Sequence, residues 1–335
     1  MFLLLAASLA SAILCGASLY IFAKTLPQSF LAAGFSSRSN HTIVARQIGG
    51  LALVPAILTS LLMFGTDLGL TIELVACLSG ASALLWIVGA LDDRFDISVL
   101  VRFGSQLLAS SLVVYGLGPD FRLMAEILPH WLEVTLIIIT LVAAINITNF
   151  MDGLDWMTCV GIGIPMAGLA LLSLFQLAGL DSGTLGAILA GGLCGFAIFN
   201  RPPANIFLGD SGSLPLGLIA GTALLLLAKE THLAVALILP LYYILDTGTT
   251  MAVRAANGEN ILKAHSKHAY QIAKRSGWSV FKVVGHVACL NLILIACATA
   301  ILQFDHLLAQ IIFLLVALVL VLLLLLDFRG HFRKL

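Results

Sequence analysis

Side chains suited to binding a cation and phosphate groups lie in four short clusters within an otherwise apolar chain of 335 residues. The first cluster, residues 89–98, carries the adjacent carboxylates of Asp92 and Asp93. Two neighbouring carboxylates at a membrane edge repel one another and lose hydration, so a compensating cation is expected close by. An ordinary helix end, with Arg94 and Arg102 balancing the acids, explains this cluster equally well.

The second cluster, residues 146–157, provides amide and carboxylate oxygens from Asn149, Asp152 and Asp155. Mg²⁺ prefers oxygen ligands and often takes one or two from the protein and the rest from phosphate and water. The cluster therefore favours a cation site where a helix ends at the membrane surface. A polar turn rich in capping residues is the alternative interpretation.

The third cluster, residues 199–217, passes through Pro202 and Pro203 into the sequence GDSGS and then into an apolar segment. Backbone N–H groups at such a helix start are available to an anion. Asp210 would place a carboxylate beside them, which indicates a cation bridging the carboxylate and the anion. A Gly/Ser loop that only caps the helix is the alternative, and the chain has no GxxxxGK[ST] phosphate loop.

The fourth cluster, residues 254–278, is basic and contains one acidic residue, Glu259. Its cationic and imidazole side chains are Arg254, Lys263, His265, Lys267, His268, Lys274 and Arg275. Imidazoles on both sides of a lysine suit the negative charge of a diphosphate. A solvated basic loop beside anionic lipid is the alternative.

The composition of the whole chain is that of a membrane-embedded protein. It is 60% hydrophobic and 10% charged, whereas an ordinary soluble domain carries about 25% charged residues. This composition excludes soluble, secreted and disordered proteins. The formal net charge of +0 gives no reason to expect a nucleic-acid partner.

The apolar stretches predict an all-α polytopic membrane protein with eleven transmembrane helices. Their expected limits are 1–23, 48–66, 70–90, 103–118, 131–149, 156–180, 184–199, 212–228, 232–253, 283–303 and 307–327. With the N-terminus outside and the C-terminus inside, 15 of the 17 Lys and Arg residues fall on the cytoplasmic side. The four clusters then share the cytoplasmic face of a single membrane-embedded domain, 1–335, whose large basic loop is 254–282.

The order of these clusters along the chain resembles that of the polyprenyl-phosphate N-acetylhexosamine-1-phosphate transferases. The motifs that carry the resemblance are SRSNHTIVARQIGG at 37–50, LDDR at 91–94, NFMDGLD at 149–155, FLGDSGSL at 207–214 and HSKHAYQ at 265–271. They cover nearly the whole chain. The family's usual His-x-His-His signature is present with one histidine fewer, as His265-Ser266-Lys267-His268.

The resemblance implies transfer of a sugar 1-phosphate from a UDP-sugar to the phosphate of a lipid carrier, undecaprenyl phosphate, with release of UMP. Mg²⁺ is the implied cofactor and Mn²⁺ a substitute. The implied location is the bacterial inner membrane, with the active site on the cytoplasmic face. The loop resembles the branch that initiates O-antigen synthesis, which favours a UDP-N-acetylhexosamine donor. The resemblance does not decide which sugar is transferred or whether the protein is a dimer. It also leaves open whether the lipid phosphate attacks directly or through an enzyme-bound phospho-sugar.

The resemblance also implies roles for individual residues. Asp92, Asp93 and Asp210 are the expected catalytic residues, and Asp210 and Asn149 the expected metal contacts. The other expected substrate contacts are Asp152 and Asp155 by the nucleotide, His265 and His268 on the sugar diphosphate, and Arg46, Arg254 and Lys263. Whether the acids act as general bases or as orienting ligands stays open, because a lipid phosphate is already largely ionised at neutral pH.

Two other functions compete with this interpretation. The first is transfer of phospho-N-acetylmuramoyl-pentapeptide in peptidoglycan synthesis. The second is secondary transport, although transporters usually place their acids near the membrane midplane and in two related halves. Asp246 lies inside the ninth predicted span, where an ionisable residue indicates a functional site or a buried, hydrogen-bonded structural acid.

Overall fold

The computed structural model describes residues 1–32, 45–95, 97–260, 265–304 and 306–330. Within these ranges the chain is predominantly helical, and its extended pairing consists of two isolated bridges that join Arg46 to Ala32 and to Ile206. The helices are α1 (Phe2–Thr25), α2 (Gly49–Phe64), α3 (Ile72–Phe95), α4 (Val99–Leu117), α5 (His130–Met151), α6 (Ile164–Leu174), α7 (Leu180–Ala197), α8 (Asp210–Glu230), α9 (Leu233–Ile238), α10 (Leu241–Ala256), α11 (Ala269–Arg275), α12 (Val280–Phe304) and α13 (Leu307–Phe328). The predicted all-α fold is confirmed.

Eight of the described helices are long and apolar enough to cross a membrane, namely α1, α3, α4, α5, α7, α8, α12 and α13. Two shorter apolar helices, Gly49–Phe64 and Cys159–Leu174, correspond to the second and sixth predicted spans. The chain is therefore a polytopic membrane protein. The total of eleven crossings and the orientation in the membrane stay predictions.

The ninth predicted span, 232–253, is interrupted. The structure divides it into α9 and α10, with Leu239 and Pro240 between them. Proline has no backbone N–H to donate and its ring clashes with the preceding helical turn, so a continuous helix breaks there. The predicted loop 254–282 likewise contains a short helix, α11, whose seven residues are too few to cross a membrane.

Helix α8 lies at the centre of the bundle. In its most apolar stretch 89% of the residues are buried, against 22% for α13. Glycine allows α3 to pack very closely on the start of α8, because a Cβ atom at Gly89 would lie 2.4 Å from the backbone oxygen of Asp210. This close approach brings the acidic end of α3 beside the first turn of α8.

A short backbone pairing fixes the loop that leads into α8. The backbone N–H of Phe207 donates to the carbonyl oxygen of Arg46 at 2.8 Å. The N–H groups of Gly49 and Gly50 then donate to the carbonyl oxygens of Phe207 and Leu208 at 2.9 and 2.8 Å. The loop is thereby held against the start of α2, directly before the acidic turn at Asp210.

Candidate active site

The carboxylate of Asp93 caps the start of α8. It accepts hydrogen bonds from the backbone N–H groups of Asp210 at 2.8 Å and Ser211 at 3.1 Å. The next two N–H groups, of Gly212 and Ser213, donate to the carbonyl oxygen of Gly209. The expectation that this helix start is available to a ligand anion is therefore wrong, because a carboxylate from α3 already occupies it.

Asp92 is paired with an arginine from the next helix. One carboxylate oxygen accepts from the backbone N–H of Ile97 at 2.8 Å, and the other lies 2.7 Å from Nη1 of Arg102. The same Nη1 lies 3.8 Å from Oδ2 of Asp210. Arg102 thus joins two of the predicted catalytic acids, while the guanidinium of Arg94 lies over the ring of Phe95.

Asn149 connects the end of α5 to the start of α8. Its Nδ2 donates to Oδ1 of Asp210 at 2.7 Å and to Oγ of Ser213 at 2.9 Å. Because both bonds use the amide nitrogen, any contact with a cation falls to the amide oxygen. Sequence reasoning missed Arg102 as a site residue, because the packing of α4 on α3 and α5 brings it to Asp210. It also missed Ser213, which lies one helical turn after Asp210 on α8 and takes part through its hydrogen bond with Asn149.

A cavity of about 280 Å³ opens beside these groups. Four predicted site residues contribute to its wall: Asn149, Asp152, Asp155 and Asp210. The remaining lining residues are Gln47, Leu154, Asn200, Phe207, Leu208 and Gly209. Residues of the second and third sequence clusters therefore line one polar cavity.

Two further carboxylates face this part of the molecule from the segment after α5. Asp155 is buried and accepts from the backbone N–H of Ala204 at 3.0 Å. Burial, with a smaller contribution from the charges of Asp93 and Asp155, raises the pKa of Asp152 to about 7, although a hydrogen bond from Thr158 opposes the increase. Asp152, Asp155 and Asp210 therefore place three carboxyl groups on the wall of one cavity.

Replacing Asp152 with asparagine is expected to stabilise the protein more at pH 8 than at pH 5. The folded-state pKa of about 7 lies above the ordinary value of 3.8, so the folded state favours the protonated carboxyl and loses stability as the pH rises from about 4 to 7. The neutral amide removes this loss, so we expect a gain of up to about 4 kcal/mol at pH 8 and a clearly smaller one at pH 5. Thermal unfolding in detergent with EDTA measures the gain, and an equal gain at both pH values would contradict the expectation.

Gly209 provides a second test of the local geometry. Its φ is +73°, and a Cβ atom there would lie 2.6 Å from Oδ2 of Asp93. Gly209→Ala is therefore expected to displace Asp93 and to lower activity at least tenfold, beyond a backbone strain of about 1 kcal/mol. Gly258→Ala is the matched control, because its φ is +69° and nothing lies within 4 Å of the added atom. Equal losses in the two variants would show that the contact with Asp93 is unimportant.

The two histidines lie beside the end of α5. The ring of His268 is 6.2 Å from the ring of Phe150 and 4.9 Å from the ring of His265, measured between centroids. The hydroxyl of Tyr270 donates to the carbonyl oxygen of Phe150 at 3.0 Å. The structure thus places the fourth cluster next to the second.

The two histidines differ in exposure. His268 is buried, with 2% of its surface exposed, whereas His265 is partly exposed. Burial, together with the nearby groups of His268, Arg254 and Lys267, lowers the pKa of His265 to about 4. His265 is therefore neutral at pH 7, and its Nδ1 accepts from the backbone N–H of Lys267 at 3.2 Å.

The predicted arginine contacts are engaged with the protein itself. Arg254 is buried, and its Nη2 donates to the carbonyl oxygen of Asn260 at 2.6 Å. Nη1 of Arg46 donates to the carbonyl oxygen of Leu26 at 3.1 Å, just after α1. Their substrate contacts stay predictions, and Lys263 lies outside the described residues.

The donor set fits a divalent cation that is completed by its substrates. In the described part of the chain no three His, Cys, Asp or Glu side chains converge on a common metal position. Three carboxylates, of Asp152, Asp155 and Asp210, and the amide of Asn149 nevertheless line one cavity. Mg²⁺ commonly takes only one or two carboxylates from a protein and the rest from phosphates and water, so this incomplete set suits it.

Fold and site define a class of protein: a polytopic membrane protein with a carboxylate-rich cavity where its helices meet. A family model described as glycosyl transferase family 4 matches residues 75–228. A probable undecaprenyl-phosphate N-acetylglucosaminyl 1-phosphate transferase from Bacillus subtilis is 26% identical over 281 residues, which are 79% of this chain and 77% of that protein. A phospho-N-acetylmuramoyl-pentapeptide-transferase from Halalkalibacterium halodurans is 28% identical over 260 residues, 71% of this chain and 77% of that protein.

A third relative, the decaprenyl-phosphate N-acetylglucosaminephosphotransferase of Mycolicibacterium smegmatis, is 29% identical over 208 residues, 56% of this chain and 50% of that protein. Over most of its length the chain is similar to polyprenyl-phosphate sugar-1-phosphate transferases, and its residues 75–228 match glycosyl transferase family 4. It is a multi-pass enzyme of the bacterial inner membrane. The matched range contains Asp92, Asp93, Asn149 and Asp210, whereas the two histidines follow it.

Proposed function

We propose that the chain transfers N-acetylhexosamine 1-phosphate from a UDP-sugar to undecaprenyl phosphate and releases UMP. The observation that carries the proposal is the placement of Asp210. Its carboxylate is held by Asn149 from α5, lies near Arg102 from α4, and lines the cavity. Three helices thus converge on one carboxylate where a diphosphate and a lipid phosphate would have to meet.

The reaction demands alignment more than proton removal. The attacking lipid phosphate is already ionised at neutral pH, so the main barrier is repulsion between two anions that must be brought into line. The oxygens of Asp93 hold backbone N–H groups, and those of Asp92 hold Ile97 and Arg102. We infer that both acids orient the site and that neither is a general base.

Mg²⁺ would be held by Asp210 and by the amide oxygen of Asn149, with phosphate oxygens of the substrates completing its shell. When bound, it would supply positive charge against the developing charge on the transferred phosphoryl group. Arg102 adds a cationic group next to Asp210 at 3.8 Å. Mn²⁺, which also accepts oxygen ligands, is expected to substitute.

The donor would extend from the cavity toward the histidines. Asp152 and Asp155, on the cavity wall, would lie beside the nucleotide, and the partly exposed His265 would contact the sugar diphosphate. We place this site on the cytoplasmic face, where UDP-sugars are made available to the membrane. The product would be the first lipid-linked intermediate of a cell-surface polysaccharide such as an O-antigen.

UDP-N-acetylglucosamine is the donor to test first, because the relatives from Bacillus subtilis and Mycolicibacterium smegmatis carry N-acetylglucosamine in their names. The relative from Halalkalibacterium halodurans is named for a muramoyl-pentapeptide substrate. UDP-N-acetylmuramoyl-pentapeptide is therefore the second candidate donor. The two differ in bulk at the sugar, so a single panel separates them.

The test uses the purified chain with undecaprenyl phosphate and a panel of radiolabelled UDP-sugars, scoring label in the lipid phase. We expect labelling from a UDP-N-acetylhexosamine, dependence on Mg²⁺, and loss of labelling on addition of EDTA. Labelling only from the muramoyl-pentapeptide donor would replace the proposed substrate. Absence of labelling from every donor by folded protein would overturn the proposal, and binding of no UDP-sugar would favour a transporter.

A further inference from the structure

Asp246 is a fully buried acid on α10 that does not line the cavity. Its carboxylate accepts from the backbone N–H groups of Ala269 at 2.8 Å and Tyr270 at 3.4 Å. The hydroxyls of Tyr242 and Thr250 also donate to it, each at 3.3 Å. The acid therefore ties α10 to the first turn of α11, the helix that follows the histidine segment.

The same carboxylate reaches an imidazole. Oδ1 of Asp246 lies 3.6 Å from Nδ1 of His268. His268 is itself buried, and its ring lies 4.9 Å from that of the partly exposed His265. A continuous path of contacts thus leads from a buried charge, through a buried imidazole, to an imidazole at the surface.

Burying a carboxylate away from water costs free energy unless hydrogen bonds or a cationic partner compensate its charge. Among the described residues, His268 is the one basic side chain within ion-pair distance of Asp246. Arg329 approaches more remotely, through Oγ1 of Thr250 at 3.1 Å. At 3.6 Å the contact is an ion-pair distance and not a hydrogen bond, so Asp246 acts on His268 by electrostatic attraction, which favours one orientation of the buried ring.

We infer that Asp246 is a positioning residue for the transferase: acting through His268, it holds His265 where the sugar diphosphate of the donor binds. This inference rests on the proposed function. It differs from a purely structural role because it assigns the effect of Asp246 to one substrate, the donor. The lipid phosphate, which would approach from Asp92 and Asp93, is expected to be unaffected.

A double-mutant cycle between Asp246→Asn and His265→Ala tests the inference. The asparagine keeps an acceptor oxygen for Ala269 but removes the negative charge. Each single variant is expected to raise the KM for UDP-N-acetylglucosamine about tenfold, the scale of one charge-assisted hydrogen bond. The double variant is expected to show no further increase, since the two residues act in one path. The KM for undecaprenyl phosphate is expected to change less than twofold.

Tyr242→Phe is the matched control, because it removes one hydrogen bond to the same carboxylate without touching a histidine. Its donor KM is expected to stay within about twofold of the native value. Three results would each overturn the inference. The first is a donor KM in the double variant raised by the product of the two single increases. The others are equal increases in the KM values of both substrates, and an increase in donor KM for Tyr242→Phe as large as that for Asp246→Asn.

His268→Gln gives a second route if Asp246→Asn does not fold. It interrupts the path at its middle and is expected to raise the donor KM about tenfold, again without addition in the His265→Ala background. The native chain is assayed alongside. If the native protein is active and the effects of the two substitutions are additive, the inference alone is overturned. If the native protein is folded but inactive, the proposed function is overturned and the inference with it.

Discussion

Replacing Asp210 with asparagine is expected to lower the rate of sugar-phosphate transfer about 100- to 1,000-fold, the cost of removing one preorganised charged group from an active site. The asparagine keeps the shape and one oxygen, so the hydrogen bond from Asn149 can persist. What is lost is the negative charge that faces Arg102 at 3.8 Å and that would hold the cation. The loss should fall on kcat and on the apparent affinity for Mg²⁺.

The measurement is the transfer rate as a function of Mg²⁺ concentration, together with thermal unfolding to confirm the fold. Asp120→Asn is the matched control, because Asp120 is exposed in the connection that follows α4, at the opposite end of that helix from Arg102. The control should keep native activity. Native activity and Mg²⁺ dependence in Asp210→Asn would contradict the assignment of Asp210 to the centre of the site.

Replacing Asp93 with asparagine is expected to lower activity about 100-fold and to destabilise the fold by about 1–2 kcal/mol. The carboxylate accepts from two backbone N–H groups at the start of α8, and an amide offers only one acceptor oxygen to them. One buried N–H therefore loses its partner, and the first turn of α8, which carries Asp210, is displaced.

The pH dependence of this variant separates an orienting role from a general-base role. If Asp93 orients α8, the activity of Asp93→Asn should be reduced by the same factor at every pH between about 6 and 9. If Asp93 were the base, the remaining activity should increase with pH as hydroxide replaces the missing group. A loss that disappears at high pH would therefore contradict the orienting role.

The sequence identified the parts of the site that depend on local pattern. Residue type and spacing singled out Asp92, Asp93, Asn149 and Asp210, and the alternation of apolar segments predicted that they would meet at one end of the helices. The structure brings all four together. Most helix limits also agreed to within about five residues. The exceptions are the ninth predicted span, which Pro240 divides, and the sixth, which ends at Leu174 and not at residue 180.

Contacts between side chains and backbone groups on helices far apart in the sequence were harder to predict. The N–H groups at the start of α8 look available in the sequence, and only the close packing permitted by Gly89 shows that Asp93 fills them. Arg102 was recognised as a balancing charge for Asp92, but its approach to Asp210 depends on the packing of α4. The burial of His268 behind His265 likewise depends on α10, which comes from another segment of the chain.

The most direct test of the central claim follows the β-phosphate of the donor. Purified protein is incubated with undecaprenyl phosphate, Mg²⁺ and UDP-N-acetylglucosamine labelled with ³²P in the β position. Transfer of sugar 1-phosphate predicts that the label enters the lipid phase and that unlabelled UMP is released in equal amount. Label that stays in the water phase as UDP, with the sugar alone on the lipid, would contradict the account.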